Sequence, residues 1–183
     1  MAKVGDCRSP NFSHDLKGRP DHHKAYRDSW KPLGLDDTGW RLMTQRSLEQ
    51  AALVETAMLR VVETLDRLGL AENTLVIMTA DHGDAVGSNG GVANKGGLMV
   101  EETLRVPLIM RGPGIAKGRT CEQVVTNLDL APTLLGAAGV EVSTDLHGQS
   151  LTPLLAGRAD TVRKGAMLQH CLLYTSPSPR DRG

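Results

Sequence analysis

The sequence predicts an α/β fold with a mainly parallel sheet, and three stretches carry the prediction. Residues 42–68 repeat apolar side chains at helical spacing. Residues 74–80, Thr-Leu-Val-Ile-Met-Thr-Ala, are short, mostly apolar and rich in branched side chains. Residues 106–110 form a second run of the same kind. A helix, a brief turn and a strand apolar on both faces make half of a β–α–β unit, the building block of parallel sheets.

The first 40 residues read as a loop-rich lead-in. Pro10, Pro20, Pro32, Gly18, Gly34 and Gly39 interrupt every short apolar pattern. The helix over 42–68 follows, with Leu48, Ala51, Met58, Val61, Val62, Leu65 and Leu68 on its apolar face and Glu49, Arg60, Glu63 and Arg67 opposite. Gly69 stands just beyond it, where a left-handed residue ends a helix. After the strand at 74–80, six glycines between 83 and 97 disfavour regular structure and permit close backbone approach to a ligand. Pro107 tolerates the start of the second strand. Arg111-Gly112-Pro113-Gly114 is a turn, and 122–126 reads as a further short strand. Asp129 is placed to cap a helix over 129–138, with Pro132 in its first turn and Gly139 after it. A short helix over 150–156 closes the pattern.

Composition narrows the function classes. The chain has 183 residues, about one domain. Twenty-one basic residues balance 21 acidic ones, so charge argues for neither nucleic acid nor an anionic membrane as partner. No apolar run approaches the ~18 residues of a membrane span, and residues 1–10 contain no leader-like apolar stretch. One Phe, two Tyr and two Trp leave the core to aliphatic residues. Cys7, Cys121 and Cys171 have no metal-type spacing and read as unpaired thiols.

The chemistry is expected at the end of the first strand, because open α/β sheets bind ligands outside the carboxyl ends of their strands. Asp81 offers a carboxylate there for a hard cation. His82 adds a ring nitrogen, and Gly83 turns the chain away without a side chain. Asp84 carries no clear role. Asp21-His22-His23 reads as solvated, His147 as a turn residue, and Glu101, Glu102 and Arg105 as a structural ion-pair group.

The run Asp81-His82-Gly83-Asp84, Gly87-Ser88-Asn89-Gly90-Gly91, Lys95, Glu101-Glu102 and Arg105-Val106-Pro107-Leu108-Ile109 resembles the sulfatase family of the alkaline phosphatase superfamily. The resemblance extends upstream through Leu68-Gly69-Leu70 and Asn73-Thr74-Leu75-Val76. It extends downstream through Asn127-Leu128-Asp129-Leu130-Ala131-Pro132-Thr133 and Gly148-Gln149-Ser150-Leu151. It covers about residues 42–157, and the ordered set is more specific than any one piece. It implies an alkaline-phosphatase-like sandwich, with Asp81 and His82 as ligands or near-ligands of a divalent cation, usually calcium. It implies that Lys95 approaches the sulfate or leaving-group oxygen of a sulfate ester substrate. Asn89 stands where many relatives carry His.

The family's nucleophile, formed from a Cys/Ser-x-Pro-x-Arg motif, is absent; Cys7-Arg8-Ser9-Pro10 has the letters in the wrong order. The family's amino-terminal aspartate pair is also not found. These gaps predict a fragment: a lead-in over 1–40, a partial sulfatase catalytic domain over 41–170, and a non-native tail over 171–183. That tail matches the translation of a transposase-type sequencing adapter. The fragment is expected to be catalytically inactive. A phosphonate monoester hydrolase or phosphodiesterase of the same superfamily, and a non-catalytic binding module, are the competing readings.

Overall fold

The computed structural model describes residues 9–96 and 98–168. Expectations for Cys7, Gly97, Cys171 and the segment 171–183 lie outside the described residues. The chain divides into two compact units. Of the described residues, one comprises 9–54 and His82–Val106, and the other comprises Glu55–Asp81 and Pro107–Met167.

In the first unit the lead-in is more regular than its prolines suggest. It contains α1 (Asp21–Asp28) and a 3-10 turn at Lys31–Leu33. Pro20 precedes α1, Asp21 sits in its first turn and Arg27 in its last, the arrangement the helix dipole favours. The helix was hidden because only His23 on it is buried, so it has no apolar stripe to read. The unit's core is small and aliphatic: Ala85, Val92, Leu98 and Val100, with Tyr26 packed against them. Two short helical turns, α3 (Ser88–Gly91) and α4 (Glu101–Leu104), belong to this unit. Asn89 and Gly90 inside α3 are left-handed, so it is a tight turn rather than a helix able to propagate.

Helix α2 (Asp37–Arg67) extends the expected 42–68 element by one turn at its start and runs from the first unit into the second. Gly69 takes the expected left-handed conformation, at φ 68°. Most of the helix's apolar positions are uncovered: Leu48, Leu53, Val54, Leu59 and Val61 are all more than half exposed. Only Met58, Val62 and Leu65 on the expected face are half-buried.

In the second unit the two expected strands are shorter than the apolar runs, β1 at Val76–Thr79 and β2 at Leu108–Arg111. They pair antiparallel, with Val76 opposite Arg111 and Thr79 opposite Leu108. The parallel expectation concerned the sheet as a whole. The long connection between these two strands permits either direction, and their own pairing is antiparallel. Thr74 is drawn out of the strand because its hydroxyl donates to Leu70 O at 2.8 Å. Residues 122–126 form no strand, and Val124 is exposed. A 3-10 turn at Asn127–Asp129 leads into α5 (Leu130–Ala137), and α6 (Thr152–Leu155) follows. Leu151, Leu154, Pro132 and Thr133 are buried. No helix among the described residues is long and apolar enough to cross a membrane.

Candidate functional site

Asp81 follows β1 by two residues and is exposed. The chain before it is braced, since Asn127 Nδ2 donates to Ala80 O at 2.9 Å. Asp81 belongs to the second unit, and His82 and Lys95 to the first.

His82 is half-buried, with Nδ1 2.9 Å from the Gly83 carbonyl oxygen. Gly83 donates its N–H to Thr103 O at 2.9 Å. A Cβ at Gly83 would collide with the Glu102 carbonyl, so this residue cannot carry a side chain without backbone movement.

The loop from Asp84 to Lys95 is held shut by side chains. Asp84 Oδ1 accepts from Val86 N at 2.9 Å and from Asn94 N at 3.0 Å. Asp84 thereby joins the two ends of the loop, the role that its position in sequence left open. His82 and Lys95 stand at this same closed end, just outside the residues that Asp84 ties together. Lys95 is exposed, and its backbone N–H donates to Asn94 Oδ1 at 2.6 Å.

A second clamp fastens the far end of the loop to the lead-in. Glu102 accepts from Asn11 Nδ2 at 2.9 Å and from Asn89 Nδ2 at 3.0 Å. Asn11 Oδ1 accepts the Asn89 N–H at 3.0 Å. Burial opposes ionisation of Glu102, but the bonds from its own backbone N–H and then from Asn11, Asn89 and Ser88 outweigh it and hold its carboxyl below the usual range. Asn89 is buried and serves the clamp. The expected Glu101–Glu102–Arg105 group is thus divided: Glu101 pairs with Arg105 at 2.9 Å, while Glu102 binds two amides.

His23, expected to be solvated, is buried instead, edge to face with His22 at 4.5 Å. Burial, then the neighbouring His22 and Arg19, push its pKa down. Asp21 and His22 are exposed, as is His147. Cys121 is an exposed free thiol. Asp129, expected as a helix cap, is fully buried and accepts from Thr126 N, Thr126 Oγ1 and Gln149 N while pairing with Arg163.

A carboxylate and an imidazole are ligand types that a divalent cation accepts. Among the described residues, however, no group of three or more His, Cys, Asp or Glu side chains converges on one point. Calcium takes about six to eight oxygen ligands. Asp81 and His82 therefore do not make a calcium site by themselves.

The architecture is that of a known class. The family model described as Sulfatase matches residues 9–140. The chain belongs to the sulfatase family, and its α/β architecture is of the alkaline phosphatase-like kind. It is similar to the extracellular sulfatase SULF-1 homolog of Drosophila melanogaster, 39% identical over 122 residues. That alignment covers 67% of this chain and 11% of the fly protein. Among solved structures it is similar to a 2-O GAG sulfatase, BT1596, at TM-score 0.73 and 28% identity, covering 84% of this chain and 35% of that one. It is also similar to a phosphonate monoester hydrolase from Silicibacter pomeroyi, at TM-score 0.63 and 28% identity, covering 79% of this chain and 33% of that one. The chain thus spans about a third or less of the length of each of these proteins.

Proposed function

We propose that this chain is part of a sulfuric ester hydrolase, in which Asp81 and His82 contribute to a calcium site and Lys95 meets the sulfate group of the substrate. The observation that carries the reading is the closed loop after β1. His82 and Lys95 flank, in sequence, the pair that Asp84 ties to Asn94, within the part of the chain that the Sulfatase model matches. A bound divalent cation supplies charge stabilisation to the sulfate oxygens. Lys95 adds a fixed positive charge that offsets negative charge developing on the oxygens in the transition state. Gly83 lets the chain pass against the Glu102 backbone, and its carbonyl oxygen, 2.9 Å from Nδ1, orients the His82 ring.

The nucleophile is not part of this proposal's residues. No Cys/Ser-x-Pro-x-Arg motif occurs in the 183 residues. These 183 residues are therefore one portion of the catalytic domain, inactive by themselves.

The second reading is a phosphonate monoester hydrolase, favoured by the Silicibacter pomeroyi neighbour. One experiment separates the two: express the longest open reading frame that contains this sequence and compare hydrolysis of an aryl sulfate with that of an aryl phosphonate monoester. Faster turnover of the sulfate, lost on chelation of divalent cations, is the expected outcome. Preference for the phosphonate would establish the second reading. Turnover by the 183-residue chain alone would overturn the assignment of the nucleophile to residues outside it.

A further inference from the structure

Lys95 has an exposed side chain on a backbone that is held at both ends. Its N–H donates to Asn94 Oδ1 at 2.6 Å, and its carbonyl oxygen accepts from Leu98 N at 3.2 Å. Both contacts are local. They shape the turn, but they do not fix where the turn sits in the unit. A lysine ammonium rides on a flexible four-carbon stem, and this one projects from the surface. Its position is therefore set by the place of the backbone that carries it.

The contact that reaches this backbone from elsewhere is Tyr26, on α1 of the lead-in. Its half-buried ring packs against the core of Ala85, Val92, Leu98 and Val100. A Cβ at Gly96 would collide with Cζ, Cε1 and Cε2 of that ring, so the ring lies directly on the Gly96 backbone. Gly96 is left-handed, at φ 45°, a second reason for the bare position. The Tyr26 hydroxyl lies 3.4 Å from the Ala93 carbonyl oxygen, long for an O–H···O bond. Tyr26 thus meets the chain on both sides of Lys95, and packing rather than the hydroxyl makes the contact. Trp30 meets the Tyr26 ring edge to face at 6.1 Å, and His23 buries the start of α1. All of these residues belong to the first unit.

We propose that Tyr26 is a positioning residue for Lys95. Its ring, seated on Gly96 with its hydroxyl at Ala93, sets the place of the Lys95 backbone and with it the reach of the ammonium group. The lead-in then serves the candidate site through α1. The inference deepens the proposed function and rests on that reading for the role of Lys95; the placement of the loop by Tyr26 stands without it.

Hydrogen exchange on the 183-residue protein reads the loop without turnover. Tyr26→Leu is expected to speed amide exchange over residues 92–96 about tenfold or more, with α4 of the same unit unchanged. Tyr26→Phe keeps the ring and is expected to match the parent. Kinetics on the product of the longest open reading frame read the consequence. Tyr26→Leu is expected to lower kcat for an aryl sulfate about tenfold with KM within about twofold, because Lys95 acts on charge that develops in the transition state. Tyr26→Phe should restore kcat. Gly96→Ala is expected to lower kcat as well, and to do so less in the Tyr26→Leu background, where the shorter side chain leaves room. The inference is overturned by unchanged exchange over 92–96, or by an active product whose kcat is the same with Tyr26→Leu. Equally fast exchange across the whole first unit, α4 included, would mark Tyr26 as an ordinary core residue and also overturn it. Faster exchange confined to the loop, with no sulfate ester turnover by the parent product, would count against the proposed function alone.

Discussion

Asp129 illustrates what a single residue does here and how little of it is local. Its carboxylate is fully buried, accepts two backbone N–H groups at 2.8 Å and pairs with Arg163. Burial pulls its pKa upward, but the bonds from Gln149, Thr126 and Arg163 win, and the carboxyl sits below the usual range. Asp129→Asn keeps the shape but strands Arg163, and is expected to destabilise the protein by about 3 kcal/mol. Because the folded-state pKa is lowered, the unfolded state binds the extra proton in acid, so stability rises with pH. The contribution is complete above the ordinary carboxylate range and disappears as pH falls through the lowered folded value. Unfolding midpoints between about pH 6 and pH 3 should therefore fall further in the parent than in Asp129→Asn. The sequence marks Asp129 as a cap because it precedes an apolar helix. It cannot reveal Gln149 and Arg163, which lie 20 and 34 positions away. Asp84 was illegible for a related reason, since one of its two acceptor contacts returns from Asn94.

At the scale of elements, the loop after β1 owes its shape to close backbone approach as much as to side chains. Gly83 is pressed against Glu102, and Gly83→Ala is expected to cost about 3 kcal/mol through overpacking. A denaturant midpoint measures it, and a neutral result would mean that the two segments are not in contact. Helix α2 and the apolar runs of β1 and β2 were legible because periodicity and branching are local signals. Strand direction and strand ends were not, because they depend on what pairs alongside. Helix α1 was missed because it buries a histidine in place of an apolar stripe. The uncovered side of α2 has its own consequence. Leu53 is 72% exposed and Leu59 53%, and contiguous apolar surface of this kind drives association. The chain is expected to self-associate in sedimentation velocity, and Leu53→Lys with Leu59→Lys to shift it toward monomer.

For the whole molecule, residue spacing and family resemblance carried the reading further than composition did. Asp81-His82-Gly83 at a strand end, with Lys95 after a glycine-rich loop, could be written down from the sequence. How the loop is closed by Asp84 and anchored by Asn11, Asn89 and Glu102 could not, because those contacts join segments far apart in the chain. A cleft lined by Phe12, Trp30 and Trp40 was equally invisible, its walls coming from the lead-in, from α2 and from the loop. The proposed function assigns Asp81, His82 and Lys95 to a sulfate ester site. The most direct test is kcat/KM for an aryl sulfate, measured on the product of the longest open reading frame containing this sequence, with and without Lys95→Ala. Glu101→Ala, at an exposed ion pair, is the control. A loss of about a hundredfold or more with Lys95→Ala, and little change with Glu101→Ala, is the expected result. Equal activity in the parent and Lys95→Ala would contradict it.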